Sequence, residues 1–311
     1  MSWCGRRLAG SDPGLNFLLL RLVVGDFVFL LERQADIVET FHQAVLAEGV
    51  HVERVLRSVI LHDYLGCEVR RHGVTLGCVH PAEETVHRLL APESPGRLAV
   101  SALATGGSPA AIATSAAAAV AAGHATVKVK VGTHGIHDDI DRVSAVRSRI
   151  GPDVRLRLDA NGAWGVGEAL RHLDRPAAFD IQFVEEPVAG LDDLAEVRLS
   201  SAVPIAVDES AATIDDIRRA VDSGAGDLMV LKPSAIGGPS EAARAAAIVR
   251  SAGLDVVVTS LLEGSVGIRA AAHLASAIGA LDPAPGLATA TLLAVDVATP
   301  FLPVNGELLL G

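Results

Sequence analysis

The residues best suited to chemistry in this 311-residue sequence are its three lysines, Lys128, Lys130 and Lys232, which stand against 23 arginines. Two of them form an i, i+2 pair in Thr-Val-Lys-Val-Lys-Val-Gly, and the third ends Asp-Leu-Met-Val-Leu-Lys-Pro. Residues i and i+2 of a strand project from the same face, so this spacing places Lys128 and Lys130 side by side. A lysine can give up its proton when its pKa is lowered, whereas an arginine keeps its charge. We therefore predict that all three lysines are catalytic.

Acidic residues occupy equivalent places, at or next to the ends of the apolar runs between these lysines. Asp159, Glu185 and Asp208 each follow such a run. From Lys130 through these acids to Lys232 the spacings are 29, 26, 23 and 24 residues, each about one strand–helix unit. If the strands are parallel neighbours in a barrel, their ends present lysine, aspartate, glutamate, aspartate and lysine around one mouth, where such folds build their active sites.

Three carboxylates at one mouth raise one another's pKa, and a hard divalent cation with oxygen ligands removes that conflict. Mg²⁺ suits one carboxylate from each strand, so Asp159, Glu185 and Asp208 are its predicted ligands. An alternative interpretation is that these acids cap the helices that follow, but it explains poorly why lysines flank all three. A metal facing lysines suits proton abstraction next to a carboxylate, because the metal stabilises the developing enediolate charge while a lysine moves the proton.

From residue 98 onward one pattern repeats, in which an apolar run is followed by a turn and an amphipathic stretch. This repeating pattern predicts an α/β fold, a modified TIM barrel of (βα)7β type. Helices are predicted between the strands, among them Pro109–Ala122, Ile136–Ile150, Ile214–Ser223, Ser240–Ala252 and Ser265–Ile278. The predicted strands are Leu98–Leu103, Thr126–Val131, Val154–Asp159, Ile181–Glu185, Ile205–Asp208, Leu228–Lys232, Val256–Thr259 and Gly286–Thr289.

Residues 1–97 do not share this repeating pattern and are predicted to form an α+β capping domain. It would contain a hairpin at about 16–31, helices near 35–47 and 52–61, a strand region near 66–79 and a helix at 82–90. The barrel would span 98–290. The remaining segment, 291–311, is broken by proline and strand-like, and we expect it to return to the cap.

Composition excludes several classes of function. A net charge of −11 without a basic block argues against a nucleic-acid partner. The most apolar early stretch, Leu15–Leu31, is too short and too charged to span a membrane. It also does not fit a signal peptide, because Arg21 interrupts the apolar region that a signal peptide requires. Cys4, Cys67 and Cys78 lack the spacing of a zinc site or a disulfide framework, so we expect free thiols and a cytoplasmic protein.

Beyond these patterns, the chain resembles the enolase superfamily in its muconate-lactonizing subgroup, and most closely the prokaryotic o-succinylbenzoate synthases of menaquinone biosynthesis. A lysine base with magnesium and an enediolate is a known pattern of that superfamily. The resemblance covers about residues 98–311. The stretches that carry it are Lys-Val-Lys-Val-Gly (128–132), Arg-Leu-Asp-Ala-Asn-Gly-Ala-Trp (157–164), Val-Glu-Glu-Pro (184–187), Ala-Val-Asp-Glu-Ser (206–210), Val-Leu-Lys-Pro (230–233) with Gly237-Gly238, and Gly-Leu-Ala-Thr (286–289).

The resemblance implies a magnesium-dependent lyase that dehydrates a succinyl-hydroxycyclohexadiene carboxylate in a syn elimination through an enediolate. Lys130 would be the general base, Lys128 would assist it and meet the substrate carboxylate, and Lys232 would stabilise the enolate from the opposite face. The resemblance also implies that Asp159, Glu185 and Asp208 bind Mg²⁺, with Asn161 and Glu209 beside them, and it places Asn161, Ser260, Glu263 and Ser265 among the substrate contacts.

Two alternatives stay open at this point. The first keeps the subgroup and changes the reaction to that of a dipeptide epimerase, an N-acylamino acid racemase or a cycloisomerase. The second is an inactive barrel with a binding role only. The Trp-Gly-Glu-like segment of the family's cap has no counterpart here, since the tryptophans are Trp3 and Trp164. The expected partner is a small-molecule carboxylate, and the sequence leaves open whether the chain forms a homo-oligomer.

Overall fold

The structure, a computed structural model, describes residues 69–71, 74–76, 86–133, 135–174, 179–296 and 298–310. The chain divides into two units between Leu90 and Ala91. Of the first unit the structure describes strands β1 (Val69–Arg71) and β2 (Val74–Leu76), which pair antiparallel, and a short helix α1 (Val86–Leu90). The predicted hairpin at 16–31 and helices at 35–47 and 52–61 lie outside the described residues.

The second unit alternates strands and helices, as the repeating sequence pattern predicts. After β3 (Arg97–Ala99) its elements are β4 (Ala102–Ala104), α2 (Pro109–Ala121), β5 (Thr126–Lys130), α3 (Ile136–Ile150), β6 (Arg155–Asp159), α4 (Val166–Leu173), β7 (Ile181–Glu185), α5 (Leu191–Ser200), β8 (Ile205–Val207), α6 (Ile214–Ser223), β9 (Leu228–Leu231), α7 (Pro233–Ile236), α8 (Pro239–Ser251), β10 (Asp255–Val258), α9 (Ser265–Ala277) and β11 (Glu307–Leu309).

Strands β4 to β10 form one parallel sheet of seven strands in chain order. Its two outer strands meet at the segment Pro285-Gly286. The amide of Gly286 donates to the carbonyl of Val258 at the end of β10 (2.9 Å), while the amide of Ser101 before β4 donates to the carbonyl of Pro285 (2.8 Å). These bonds close the sheet into a barrel, which confirms the predicted fold class.

Two of the predicted strands differ in the structure. The first, Leu98–Leu103, is split between β3, which pairs antiparallel with β11, and β4, which joins the barrel. The predicted eighth strand, Gly286–Thr289, is reduced to a single bridge between Gly286 and Thr259, and a 3-10 helix begins at Thr289. One residue suffices to close the ring here, because the carbonyl and amide groups of Pro285 and Gly286 serve both edges.

Side chains alternate between two buried layers along each strand. Val127 and Val129 of β5 belong to the large core that also contains Val143 and Val146 of α3, so they face the helices. Lys128 lies between these two valines and Lys130 follows the second, so both lysines face the barrel interior. A separate apolar cluster fills this interior, made of Phe183, Ala206, Leu228, Val230 and Val257. The barrel interior is thus packed by this apolar cluster and by the buried Arg157, which lies over the Phe183 ring, with the acids and lysines towards the carboxyl ends of the strands.

The last strand, β11, pairs with β3 through Glu307↔Ala99, Leu308↔Leu98 and Leu309↔Arg97. Within the predicted strand-like segment 291–311 a strand forms at Glu307–Leu309, beside the residues that begin the barrel, and the return of this segment to the cap stays a prediction. Within the described part of the chain, no helix combines the length and apolar character needed to cross a membrane.

Closure at Gly286 leaves no room for a side chain, which can be tested with Gly286→Ala. A Cβ at this position would lie 2.9 Å from Thr259 Cγ2 and 3.3 Å from Thr259 Cβ. Overpacking a buried site costs about 1–3 kcal/mol, so we expect a loss of that size in the free energy of unfolding, measured by denaturant titration. Gly107→Ala is the control, because nothing lies within 4 Å of a Cβ there. Equal stabilities of the two variants would contradict this account of closure.

Candidate active site at the carboxyl ends of the strands

Parallel register brings the predicted residues together at the carboxyl ends of the strands. Lys130 is the Cα partner of Asp159, and Asp159 is the partner of Glu185. Glu185 in turn pairs with Ala206, two residues before Asp208. Asp159, Glu185 and Asp208 are all buried. Carboxylates in such surroundings need cationic or hydrogen-bonding partners, since burial penalises their charged form.

Lys128 supplies that partner for two of the acids. Its ammonium lies 2.9 Å from Asp159 Oδ2 and 2.8 Å from Glu185 Oε2. Burial alone would lower the Lys128 pKa, but the two carboxylates outweigh it and the pKa is raised above the ordinary value. The same ion pairs, together with Lys130, hold the pKa of Asp159 below its usual value although burial acts to raise it. Lys128 is therefore a permanent cation between two anions.

Lys130 is held more loosely. Its ammonium lies 3.1 Å from Asp159 Oδ2 and donates to Asn161 Oδ1 at 2.6 Å, and about half of its side chain is exposed. Asn161 extends the chain of contacts, because its Nδ2 donates to Glu209 Oε1 at 2.9 Å. Asn161 adopts a positive φ of 46°, a conformation in which asparagine is several-fold enriched. Lys130 thus combines access from the mouth with a single carboxylate partner, Asp159, among the residues that the structure describes.

Lys232 faces the acids from the far side of the ring. Its ammonium lies 2.6 Å from Asp208 Oδ2 and 3.8 Å from Glu209 Oε1. Burial raises the pKa of Asp208 to about 7, and the charges of Glu209 and Glu185 add to this while Lys232 opposes it. Burial of Asp208 is therefore compensated only in part by its contact with Lys232.

Glu186 organises the turn that carries Asp208. It is buried with φ +39°, and its Oε2 accepts the amide of Asp208 at 2.8 Å. Its Oε1 accepts the amide of Ser210 at 3.0 Å and also the Ser210 hydroxyl. Burial raises the pKa of the Glu186 carboxyl, and these hydrogen bonds lower it in part. Glu186 acts on the site through the backbone, by fixing where the Asp208 side chain starts.

The three predicted contacts after β10 are placed differently from one another. The Ser260 hydroxyl lies 2.8 Å from Thr289 Oγ1, and Glu263 Oε1 accepts from Ser234 Oγ (3.1 Å) and from the amide of Leu261 (3.2 Å). Ser265 is buried. Its hydroxyl donates to Asp296 Oδ2 (2.6 Å) and accepts the amide of Phe301 (2.7 Å), so it fastens the start of α9 to the segment after residue 295. These contacts tie loops together, and a substrate-binding role for them stays a prediction.

The donor set suits a divalent cation by its chemistry. As the side chains stand, no group of three histidine, cysteine, aspartate or glutamate residues in the described ranges could hold a metal ion, and Asp159, Glu185 and Asp208 are each bonded to a lysine. Yet the three acids are buried, two of them share one ammonium, and burial raises the pKa of the third, Asp208. Buried hard oxygen ligands gathered at one rim fit Mg²⁺.

The residues that bind the backbone of the segments carrying these acids and lysines were not predicted from the sequence. Glu186 stands next to Glu185 in Val-Glu-Glu-Pro but was not assigned a role. Asp139 and Arg142 were also missed, although a signal exists. They lie on the same face of α3 as Val143, Val146 and Ile150, and an acid and a base on the apolar face of an amphipathic helix indicate a buried pair.

A closed parallel barrel with lysines on either side of a row of acids at its strand ends is the arrangement of the enolase superfamily. Residues 111–310 match the family model described as "Enolase C-terminal domain-like", and the chain belongs to this family.

Curated relatives extend the comparison. The o-succinylbenzoate synthase of Thermobifida fusca (strain YX) is 45% identical over 189 residues, which are 60% of this chain and 59% of that protein. The o-succinylbenzoate synthase of Mycobacterium tuberculosis (strain ATCC 25618 / H37Rv) is 41% identical over 60% of this chain and 56% of that protein. The matched region therefore spans less than three fifths of the length of each of these two relatives.

Solved structures agree with the family assignment. The dipeptide epimerase from Enterococcus faecalis V583 has a TM-score of 0.69 at 32% identity, over 73% of this chain and 66% of that chain. Muconate lactonizing enzyme from Pseudomonas fluorescens, complexed with muconolactone, has a TM-score of 0.69 at 27% identity, over 73% and 62%. The predicted resemblance to the muconate-lactonizing subgroup of the enolase superfamily is confirmed.

The role of Glu186 in holding the Asp208 turn gives a prediction for Glu186→Gln. The amide that replaces one carboxylate oxygen would face a backbone N–H that then lacks an acceptor. Leaving a buried donor unsatisfied costs about 1–3 kcal/mol, so the free energy of unfolding should fall by that amount in denaturant titration. Glu196→Gln, the same change on the exposed face of α5, should stay within about 0.5 kcal/mol of wild type. If the two variants unfold alike, Glu186 does not hold this turn.

Proposed function

We propose that this chain is a magnesium-dependent o-succinylbenzoate synthase, a hydro-lyase that dehydrates a succinyl-hydroxycyclohexadiene carboxylate. The observation that carries the proposal is the ring itself, in which Lys128 and Lys130 face Lys232 across Asp159, Glu185 and Asp208. Identity of 45% to a curated o-succinylbenzoate synthase supports this reaction among those of the superfamily.

Lys130 is the general base in this proposal. A base must lose its own proton first, and Lys128 is unsuited to that because two carboxylates raise its pKa. Lys128 is instead a fixed cation that can bind the substrate carboxylate. Lys130 has one carboxylate partner and a half-exposed side chain at the mouth, which leaves it accessible to a substrate proton. The two neighbouring lysines thus divide binding and proton transfer between them.

Asp159, Glu185 and Asp208 would hold Mg²⁺, with Asn161 and Glu209 beside them. When bound, the ion would neutralise negative charge that develops on the substrate carboxylate as the neighbouring proton leaves. The donor set supports this assignment, because three buried carboxylates at one rim offer the hard oxygen ligands that a divalent cation prefers.

The reaction needs no oxidant or reductant. Lys130 Nζ takes the proton from the carbon next to the substrate carboxylate, and that electron pair becomes the new ring double bond. The same proton then passes from Lys130 to the hydroxyl on the adjacent carbon as its C–O bond breaks. Water leaves, and the ring becomes aromatic. One lysine serves both steps, which makes the elimination syn, while Lys232 stabilises charge from the opposite side.

A second candidate is epimerisation or racemisation of a dipeptide or an N-acylamino acid. Lysines on both sides of the acids favour it, because Lys130 and Lys232 can exchange a proton on opposite faces of one carbon. The 32% identity to the dipeptide epimerase of Enterococcus faecalis also supports it. In this reaction no bond other than C–H breaks.

The two candidates are separated by an assay in ²H₂O with and without Mg²⁺, using the cyclohexadiene carboxylate and a panel of dipeptides. A dehydratase consumes the cyclohexadiene acid and forms an ultraviolet-absorbing aromatic product. An epimerase returns its substrate with deuterium incorporated. Turnover of dipeptides alone would replace the synthase by the epimerase. Magnesium binding without turnover of any substrate would indicate an inactive barrel with a binding role.

Lys130→Ala tests the assignment of the base. Loss of a positioned acid or base commonly lowers the rate about 10²–10⁴-fold, and we expect kcat to fall by this range. Magnesium affinity, measured by calorimetry, should change little. Lys130→Arg is the matched variant, because it keeps a positive charge that cannot act as a base, and it should be as inactive as the alanine variant. Near-normal turnover by either protein would exclude Lys130 as the base.

Asp208→Asn tests the metal ligands. Removing one of three anionic ligands should weaken magnesium binding, so that activity recovers part of its wild-type value only at raised Mg²⁺ concentration. The measurement is initial rate against Mg²⁺ concentration. Asp215→Asn, an identical change on the exposed face of α6, should keep the wild-type magnesium curve. A wild-type curve for Asp208→Asn would remove Asp208 from the ligand set.

A further inference from the structure

A buried ion pair lies on the helix side of the barrel, directly behind the end of β5. Asp139 and Arg142, one turn apart on α3, are both buried, and Arg142 NH1 lies 2.8 Å from Asp139 Oδ1. In the described contacts, neither residue touches the side chains of the ring of acids and lysines, and the contact of Arg142 with Lys130 is to the backbone carbonyl. Their surroundings are the apolar layer between sheet and helices, to which Val143 and Val146 of the same helix belong.

The pair holds the backbone of the segment that carries Lys130 at two points. Arg142 NH1 donates to the carbonyl of Lys130 at 3.1 Å, and Asp139 Oδ2 accepts the amide of Gly132 at 2.7 Å. Arg142 NH2 also reaches the carbonyl of Gly106 in the loop after β4, at 3.4 Å. One ion pair therefore fixes the carbonyl of residue 130 and the amide of residue 132, and links them to the neighbouring strand.

Gly132 shows how closely this segment is packed. It has a φ of +84°, and a Cβ there would lie 2.7 Å from the Cβ of Ala163 in the loop after β6. The segment that follows Lys130 is thus confined on one side by the loop after β6 and held on the other by the ion pair. Lys130 itself relies on this backbone, because its half-exposed side chain has only Asp159 and Asn161 as partners in the described contacts.

A purely stabilising role explains the pair poorly. Buried ion pairs contribute little net stability compared with apolar residues of similar size, since both charges must be removed from water. Arg142 Nε also has no hydrogen-bond partner among the described residues, which adds to that cost. What the pair does provide is a fixed orientation of the backbone groups that it binds, because the guanidinium offers its N–H donors in a fixed geometry.

We propose that Asp139 and Arg142 are positioning residues for Lys130, fixing the end of β5 so that the lysine Nζ is correctly placed for proton transfer. The inference rests on the proposed role of Lys130 as the base. A misplacement of about 1 Å caused far from the reacting atoms can lower the rate about 100-fold, so the pair affects kcat more than substrate binding.

The test compares Arg142→Met, Arg142→Lys and Asp139→Asn with Arg147→Met. Arg147 is the matched control, because it lies on the same helix and donates to the carbonyls of Gly151, Val154, Phe179 and Asp180 at the opposite end of the strands. We expect kcat to fall roughly 10–100-fold in Arg142→Met and Asp139→Asn, with KM within about threefold. Arg142→Lys keeps a charge for Asp139 and should lose less. Arg147→Met should lose stability but keep its kcat.

A second readout needs no substrate. Because the chain has only three lysines, ¹³C-lysine labelling gives three ε-carbon resonances, and Lys130→Arg identifies one of them. The Lys130 resonance should shift or broaden in Arg142→Met and Asp139→Asn, recover in part in Arg142→Lys, and stay unchanged in Arg147→Met. If the wild type turns over none of the tested substrates, the proposed function fails, while this resonance still tests the positioning.

Two results would overturn the inference. The first is a wild-type Lys130 resonance, together with wild-type kcat where the enzyme is active, in Arg142→Met. The second is an Arg147→Met variant, equally destabilised, that moves the resonance and lowers kcat as much as Arg142→Met does. Should Arg142→Met fail to fold, Arg142→Lys is judged by the same two results.

Discussion

Charge compensation between buried carboxylates and lysines is the constraint on which the rest of the structure depends. Asp159 and Glu185 are adjacent because the strands are parallel and in register, and neither could stay ionised in that layer without a cation. Lys128 meets both, and these two carboxylates raise its pKa, so in the proposed reaction proton transfer falls to Lys130. At Asp208 the contact with Lys232 compensates burial only in part, and a divalent cation would be chemically suitable there.

The barrel provides this arrangement with little more than register and closure. Because neighbouring strands are parallel and in register, the acids at their carboxyl ends lie side by side, so residues far apart in sequence meet at one rim. Closure then requires the segment Pro285-Gly286 to serve the first and the last strand at once. A residue without a side chain satisfies that requirement, because Thr259 and Ser101 lie where a Cβ would project.

Much of this was predictable from sequence, and the reason is periodicity. The i, i+2 lysines and the regular spacing of polar residues at strand ends predict the strands, their parallel order and which residues meet at the mouth. Helices α3 and α6 agree with prediction at both ends. Closure was harder to predict, because Gly286 contributes a single bridge where a full strand was expected.

The supporting residues were missed for a different reason. Glu186 acts through backbone amides that only the folded turn brings within reach, and Asp139 and Arg142 act through the carbonyl and amide of another element. Spacing in sequence carries no record of such contacts. A charged pair on an apolar helix face indicates burial, yet it does not identify the strand end that the pair will hold.

The division of labour among cations follows from their chemistry. Arginine serves where a charge must be fixed. Arg142 binds backbone carbonyls behind β5, and the buried Arg157 donates to Gln182 and to the carbonyl of Ala284 while lying over the Phe183 ring. Lysine is confined to the mouth of the barrel, where its ammonium groups meet the buried acids. An arginine in place of Lys130 would keep a positive charge for Asp159 but could not take a proton, so the proposed reaction requires lysine at that position.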